Sequence, residues 1–438
     1  MFNIHICKKL NNSQESRIRL SLMLLLVNGA PAPFASSGAA GVKKGAPMSH
    51  ESQYTASGPY SFPNGITMDL CSRSTKEPGK YWKKSSPALT FSRNENHMKR
   101  RSFFQKTTTA FLGGALASSP LANIRTKNTQ QPIKVCTTLD QEKVSFYADV
   151  IKEPIKVVHI ADTHLFRDDE RGIPYQEFSG RMAKAYNETI HFKTGATTNP
   201  EEAFTQTLAF AKEEQADVIT LVGDLFSFPS EAAIEWALAK LEDTGIPYIY
   251  TAGNHDWHYE GMEGSLASLR DTWIKKRLLP LYQGNDPLMA AYDIKGIRFL
   301  AIDNSTYQIN EEQLAFFAEQ VASGLPLVLL VHIPLYAPGK PMAFGCGHPD
   351  WGSATDRNFA LERRPKWPKE GHTPTTFRFH KEVFTAPNLL GVFAGHSHRS
   401  SMELIKGKPQ IVSDDNASGG YLDIDFLPMS EQDKKLIL

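Results

Sequence analysis

Short apolar runs alternating with amphipathic stretches predict a layered α/β domain, and two further observations locate its working edge. The runs end, one after another, in Asp, Asn or His. The charged residues also divide into a basic leader and an acidic body. The chain has 438 residues, of which 41% are hydrophobic, 10% aromatic and 22% charged, with a formal net charge of +1. Residues 1–127 carry 18 Lys+Arg against 5 Asp+Glu, whereas residues 128–438 carry 30 against 42. Collagen-like, wholly disordered and multi-span membrane chains are excluded by this composition. An acidic body repels phosphate backbones, so no nucleic-acid-binding surface is indicated.

The leader comes first in chain order. Residues 1–97 hold no sustained apolar period and are rich in Ala, Gly, Ser and Pro from Ala30 to Gly58, as a disordered or spurious upstream segment would be. The apolar run from Leu20 to Val27 is shorter than the ~20 residues a bilayer span needs. Residues 98–122 read as an export signal. Arg100-Arg101 precede Phe103-Phe104, a mildly apolar stretch follows, and Ala115-Leu116-Ala117 fits an A-x-A cleavage pattern, with Leu121-Ala122 a second option. The arginine pair resembles a twin-arginine signal. It implies transient handling by the twin-arginine export machinery, a bacterial periplasmic or extracellular location, and no transmembrane span in the mature chain. Residues 123–143 are expected to be a linker or N-terminal extension, 144–428 the domain, and 429–438 a tail. Of the body's cysteines, Cys136 and Cys346, an exported location permits a disulfide, while two free thiols fit equally well.

Within the body, six apolar runs read as buried strands: 155–160, 218–222, 248–251, 297–302, 327–331 and 389–393. Three stretches carry apolar residues at helical spacing. Residues 201–214 present Phe204, Leu208 and Ala211, residues 231–241 present Ile234, Leu238 and Leu241, and residues 311–321 present Leu314, Phe317 and Val321. Ser230 and Asn310 are suitable N-caps, and Gly245 and Gly324 suitable stops.

Five of the strands run into polar blocks. These are Asp162-Thr163-His164, Gly223-Asp224, Gly253-Asn254-His255-Asp256, His332, and Gly395-His396-Ser397-His398. In open α/β sheets, the strand C-terminal edge is where ligands gather. Three Asp, one Asn and five His brought to one edge would bury repelling carboxylates unless cations held them.

In this order the five blocks resemble the calcineurin-like metallophosphoesterases, over about residues 155–400. The resemblance implies an α-β-β-α sandwich of two mixed sheets flanked by helices, with a dinuclear metal site at the strand C-terminal ends. It implies that Asp162, His164, Asp224 and His398 hold one ion and that Asp224, Asn254, His332 and His396 hold the other. The ions would be divalent or trivalent Mn, Fe or Zn, which suit imidazole and oxygen ligands. It further implies a small-molecule or lipid phosphoester substrate contacted by Asn254 and His255, and a metal-bridging hydroxide as nucleophile. His255 would be the general acid and Asp256 would orient it. The alternative is a non-catalytic exported metal-binding protein that retains the fold.

Departures from the family pattern narrow the reading. Ser227 stands where the purple acid phosphatases carry a ligand tyrosine, and the block after Gly223 lacks the GDxVDRG run of the protein phosphatases. Residues 338–387 read as a cap-like insertion over the site, with Arg357, Arg363 and Arg364 as candidate phosphate clamps. His258 and Tyr259 either reach substrate or pack locally. Asp303-Asn304 either supports the site or makes a turn, and His159, inside a strand, is expected to be structural.

Overall fold

The computed structural model describes residues 131–185, 189–341, 345–351 and 371–437. The leader, with the expected export signal at 98–122, lies outside the described residues, as do Arg357, Arg363 and Arg364.

The strands are β1 Val135–Asp140, β2 Lys143–Ala148, β3 Ile155–Ile160, β4 Thr189–Ile190, β5 Thr197–Thr198, β6 Val218–Val222, β7 Tyr248–Thr251, β8 Met289–Ile294, β9 Ile297–Ile302, β10 Leu327–Leu330, β11 Leu389–Ala394, β12 Ser401–Ile405, β13 Lys408–Val412 and β14 Leu422–Pro428. The helices are α1 Gln176–Ala185, α2 Pro200–Glu213, α3 Glu231–Thr244, α4 Leu266–Trp273, α5 Glu311–Ala322, α6 Pro374–Val383 and α7 Glu431–Ile437. One six-stranded sheet has the order β1-β2-β14-β3-β6-β7, and the other has the order β12-β13-β11-β10-β9-β8. Both are mixed. In the first, β3, β6 and β7 run parallel; in the second, β9, β10, β11 and β13 do.

Strand periodicity builds the layers, because alternate side chains face opposite sides of a sheet. Val158, Ile160, Ile219 and Leu221 join Phe204 and Leu208 of α2 and Ile234 and Leu241 of α3 in one outer core. Leu327 and Leu329 join Leu314 and Phe317 of α5 and Phe379 and Val383 of α6 in the other. Val157, Val218, Val328 and Leu330 point the other way, into a central core shared by both sheets. Phe146 and Phe426 of the first sheet stack at 5.0 Å, and Phe146 meets Phe393 of the second edge-on at 5.7 Å. The expected α-β-β-α layering is what the chain forms.

Capping fixes where the helices start. Asn310 accepts the Gln313 amide at 2.8 Å within a capping box, and Ser230 accepts that of Ala233 at 3.4 Å. Gly245, at φ 69°, closes α3. His159 is structural, as expected. It sits between the sheets with Nδ1 3.0 Å from Thr220 Oγ1 and Nε2 3.4 Å from the Ala394 carbonyl, and burial lowers its pKa to about 4.

Three boundaries differ from expectation. The sheet begins ahead of residue 144, since β1 pairs with β2 inside the supposed linker; its Cys-Thr-Thr stretch is half-exposed and carries a weak apolar signal. Residues 431–437, within the expected tail, form α7. Part of the expected cap is framework, because α6 packs Phe379 and Val383 into the core. Among the described residues, no helix is long and apolar enough to cross a membrane.

Candidate metal centre

Because β3, β6 and β7 are parallel neighbours, as are β10 and β11, their C-terminal loops open on one edge. Backbone strain is concentrated there. Asp162, His164, Asp224, His396 and His398 have φ of 55°, 53°, 49°, 70° and 51°, in the left-handed region that costs a non-glycine residue about 1–2 kcal/mol. Strain of this kind clusters at functional sites and persists where surroundings over-determine it. Here the loops hydrogen-bond one another. Asp162 N donates to the Gly223 carbonyl at 3.1 Å, His164 N to that of Asp224 at 2.9 Å, and Gly395 N to that of His332 at 3.0 Å. His396 N donates to Asp162 Oδ2 and His255 N to Asp224 Oδ1, both at 2.7 Å. Gly223, at φ 79°, leaves no room for a Cβ against the His332 ring, and a Cβ on Gly395 would strike Asp162 Oδ2. The glycines of the motifs thus let ligand loops touch.

Two groups of side chains could each hold a cation. Asp162, His164 and His398 form one, Asp224, His332 and His396 the other, with donor atoms inside each group within 4.8 Å of one another. His164 Nε2 and His398 Nε2 are 3.1 Å apart, and His398 Nε2 lies 3.5 Å from Asp162 Oδ1. His332 Nε2 lies 3.2 Å from Asp224 Oδ2, while its Nδ1 lies 2.9 Å from the Val222 carbonyl. With Nδ1–H donating there, Nε2 is the nitrogen left for a cation.

The electrostatics fit cations. Burial alone would raise Asp224, but the charges of His332 and His255 hold its carboxyl well below the usual range. Burial opposes charge on His332 too, yet Asp224 pushes it up to about 9; likewise Asp162 pushes His398 up to about 8. Burial, then the charge of His398, holds His164 well below the ordinary imidazole range. Asp162 Oδ1 and Asn254 Oδ1 are buried oxygens without a hydrogen-bond partner among the described residues. A buried acceptor left in that state costs about 1–3 kcal/mol, and a bound cation would satisfy both. The imidazole, carboxylate and amide donors fit a pair of borderline ions.

A cavity of about 530 Å³ opens over the centre, lined by Asp224, Asn254, His255, His396, Ser397, His398 and Arg399. His255 belongs to neither ligand group; its ring stands 5.1 Å from that of His164, at the cavity wall. Asp256 is fully buried, and its two oxygens accept the amides of Phe226 at 2.8 Å and Gly253 at 2.7 Å. It therefore ties the Asp224 loop to the Asn254 loop, a role the sequence reading did not assign. Burial, then the charge of Asp224, pushes its pKa up to about 7.

The weaker candidates also resolve. Ser227 donates to the His164 carbonyl at 3.0 Å, bracing a ligand loop. Asn304 clamps the backbone beside His332, giving Nδ2 to the Ile333 carbonyl at 2.6 Å and accepting its amide at 3.0 Å. Tyr259 packs into the core and bonds Arg277 at 2.8 Å, and His258 is buried. Cys136 and Cys346 are free thiols. Two residues at the centre were missed. Arg399 follows the last block and lines the cavity. The Tyr307 hydroxyl lies 3.1 Å from His396 Nε2. Adjacency to a ligand block was a signal for Arg399; none existed for Tyr307, which lies 89 residues from its partner.

The calcineurin-like phosphoesterase family matches residues 155–400, more than half of the chain, and the chain belongs to it. Among solved structures it is similar to a dimetal phosphatase from Danio rerio, at 12% identity over 61% of this chain and 92% of that one, with a TM-score of 0.38. It is also similar to a purple acid phosphatase from yellow lupin seeds, at 15% identity over 64% of this chain and 48% of that one, with a TM-score of 0.36. No curated protein sequence matches the chain.

Proposed function

We propose that the chain is a dinuclear metallohydrolase that cleaves phosphoesters. The observation that carries this reading is the pair of three-residue ligand groups at one sheet edge, with His255 beside them in a shared cavity. Asp162, His164 and His398 would hold one ion and His332, His396 and Asn254 the second, with Asp224 between them. Bound there, two ions of Mn, Fe or Zn supply Lewis-acid polarisation of the phosphoryl oxygens and an activated water.

The rest falls to the chain's own side chains. His255 protonates the departing alkoxide from the cavity wall, a transfer worth about 10²–10⁴-fold in rate. Its backbone amide donates to Asp224 Oδ1 at 2.7 Å, which ties the acid's position to the bridging carboxylate. Asp256 keeps the two loops in register through their amides. Arg399, exposed at the cavity rim, offers a fork of donors to a substrate phosphate. The substrate class is a small-molecule or lipid phosphomonoester or diester. Export by the twin-arginine route to the periplasm or beyond is part of the proposal and rests on residues 98–122. N-terminal sequencing of the secreted chain tests it, with a start near Ser118 or Asn123 expected.

An assay of the purified chain against aryl phosphate mono- and diesters, with bound metal measured in parallel, tests the function. Hydrolysis that disappears with a chelator and returns with Mn, Fe or Zn is expected. A chain that holds two ions and cleaves neither ester would instead establish the non-catalytic alternative.

A further inference from the structure

The geometry points to Tyr307 as a positioning residue that fixes which nitrogen of His396 faces the metal and ties that ligand to the 338–387 stretch; this rests on the metallohydrolase reading. Tyr307 follows β9, outside all five motif blocks, and is buried. It adopts φ 61°, an unusual conformation for a bulky side chain that only a well-determined environment sustains. Its hydroxyl reaches His396 Nε2 at 3.1 Å, and the rings meet edge-on with centroids 5.5 Å apart.

An imidazole that binds a cation through one nitrogen directs its other N–H to a fixed acceptor. His332 shows this with Nδ1 on the Val222 carbonyl, leaving Nε2 for the cation. For His396 the nitrogens exchange roles. With Nε2–H donating to the Tyr307 oxygen, Nδ1 would be the nitrogen facing the cation. The two histidines of one ligand group would then use opposite nitrogens, each chosen by a partner behind it.

Tyr307 is itself braced from the far side. Trp351 stacks on it with centroids 5.6 Å apart and planes 20° from parallel, and His372 stacks on Trp351 at 4.3 Å and 17°. Cys346 Sγ lies 3.5 Å from the Tyr307 carbonyl. All three flanking residues come from the 338–387 stretch. A continuous row of rings therefore runs from that stretch to a metal ligand. The positive φ closes the 304–307 turn, in which the Tyr307 amide donates to the Asn304 carbonyl at 2.7 Å, and that turn presents the hydroxyl to His396.

Tyr307→Phe keeps the ring row and removes the hydroxyl. Equilibrium dialysis against zinc, with metal counted per chain, should show two ions in the wild type. In the variant one site should be unchanged and the other weakened about 10–100-fold, the usual cost of losing such a partner. Trp351→Ala should weaken the same site by less. Long-range ¹H–¹⁵N spectra of the zinc-loaded wild type should show His396 bound through Nδ1, a readout that survives even if the variant folds poorly. Coordination through Nε2, or two unchanged sites in Tyr307→Phe, would overturn the assignment while leaving the hydrolase reading intact. A wild-type chain that binds neither zinc nor manganese nor iron in the same dialysis would overturn both.

Discussion

In the group formed by Asp224, His332 and His396, each imidazole has a partner behind it. His332 has the Val222 carbonyl at 2.9 Å, and His396 has the Tyr307 hydroxyl at 3.1 Å. In the group formed by Asp162, His164 and His398, the two imidazoles turn their Nε2 atoms toward each other at 3.1 Å, and the His398 side chain is 28% exposed. Both groups draw ligands from both sheets, so neither forms without the sandwich. They do not differ in burial: each has two buried ligands and one half-buried histidine, His398 in one and His396 in the other, and both of these line the cavity. The contrast therefore lies in how the imidazoles are set, against oxygen partners in one group and ring to ring in the other.

The most damaging way to break the comparison is to remove what the halves share. Asp224→Asn should lose both ions and reduce hydrolysis by at least about 10³-fold, beyond the loss typical of one preorganised donor. Metal content and aryl phosphate turnover measured together check this, and full activity in the variant would sink the bridging role. His255→Ala should keep both ions yet lose about 10²–10⁴-fold in rate, most for esters with poor leaving groups. Equal loss across leaving groups would argue against the acid role.

Proton competition sharpens the contrast. With His398 at about 8 and His332 at about 9, a cation must displace a proton from each at neutral pH. Apparent zinc affinity should therefore fall as pH drops. It should lose about tenfold per unit for each proton displaced, through His332 alone just below pH 9 and through both below about 8. Chelator competition from pH 6 to 10 would reveal the change in slope. Stability in chelator follows the same groups. His332 is raised by its pairing with Asp224, so its contribution is complete below about pH 6.5 and disappears as pH rises through about 9. Asp224, held low, bounds the window on the acid side near its ordinary value of about 3.9. A thermal melt series across pH in chelator measures both limits.

The smallest expected effect is that of Ser227→Ala, which removes one hydrogen bond to the His164 carbonyl. A loss of about 1 kcal/mol in chemical denaturation is expected. Any change in metal affinity should be confined to the Asp162 group.

Much of this architecture was legible in the chain. The apolar runs that form β3, β6, β7 and β9 are bounded to the residue, because each begins directly after Pro154, Asp217, Pro247 or Gly296. Strands β1, β2, β4, β5, β8, β12, β13 and β14 are not among the six predicted runs. β1 and β12 are half-exposed edge strands, and β13 buries polar Lys408 and Gln410, so their apolar signal is weak. β14 shows clean alternation, with Ile424 and Phe426 inward and Asp423 and Asp425 paired with Lys143 and Lys156.

By itself, then, the sequence determined which side chains arrive at the strand ends, since strand period and residue chemistry are local properties. How the ligands divide into two groups was decided by the packing of one sheet on the other, which brings His398 to Asp162 across 236 positions in the chain. Pairing within each sheet did the rest: β6 beside β7 gave Asp256 the Phe226 amide, and the order β11-β10-β9 set the Tyr307 hydroxyl on His396. These are contacts between segments distant in the chain, and they exist only once strand pairing and the burial of the central core have fixed register and approach.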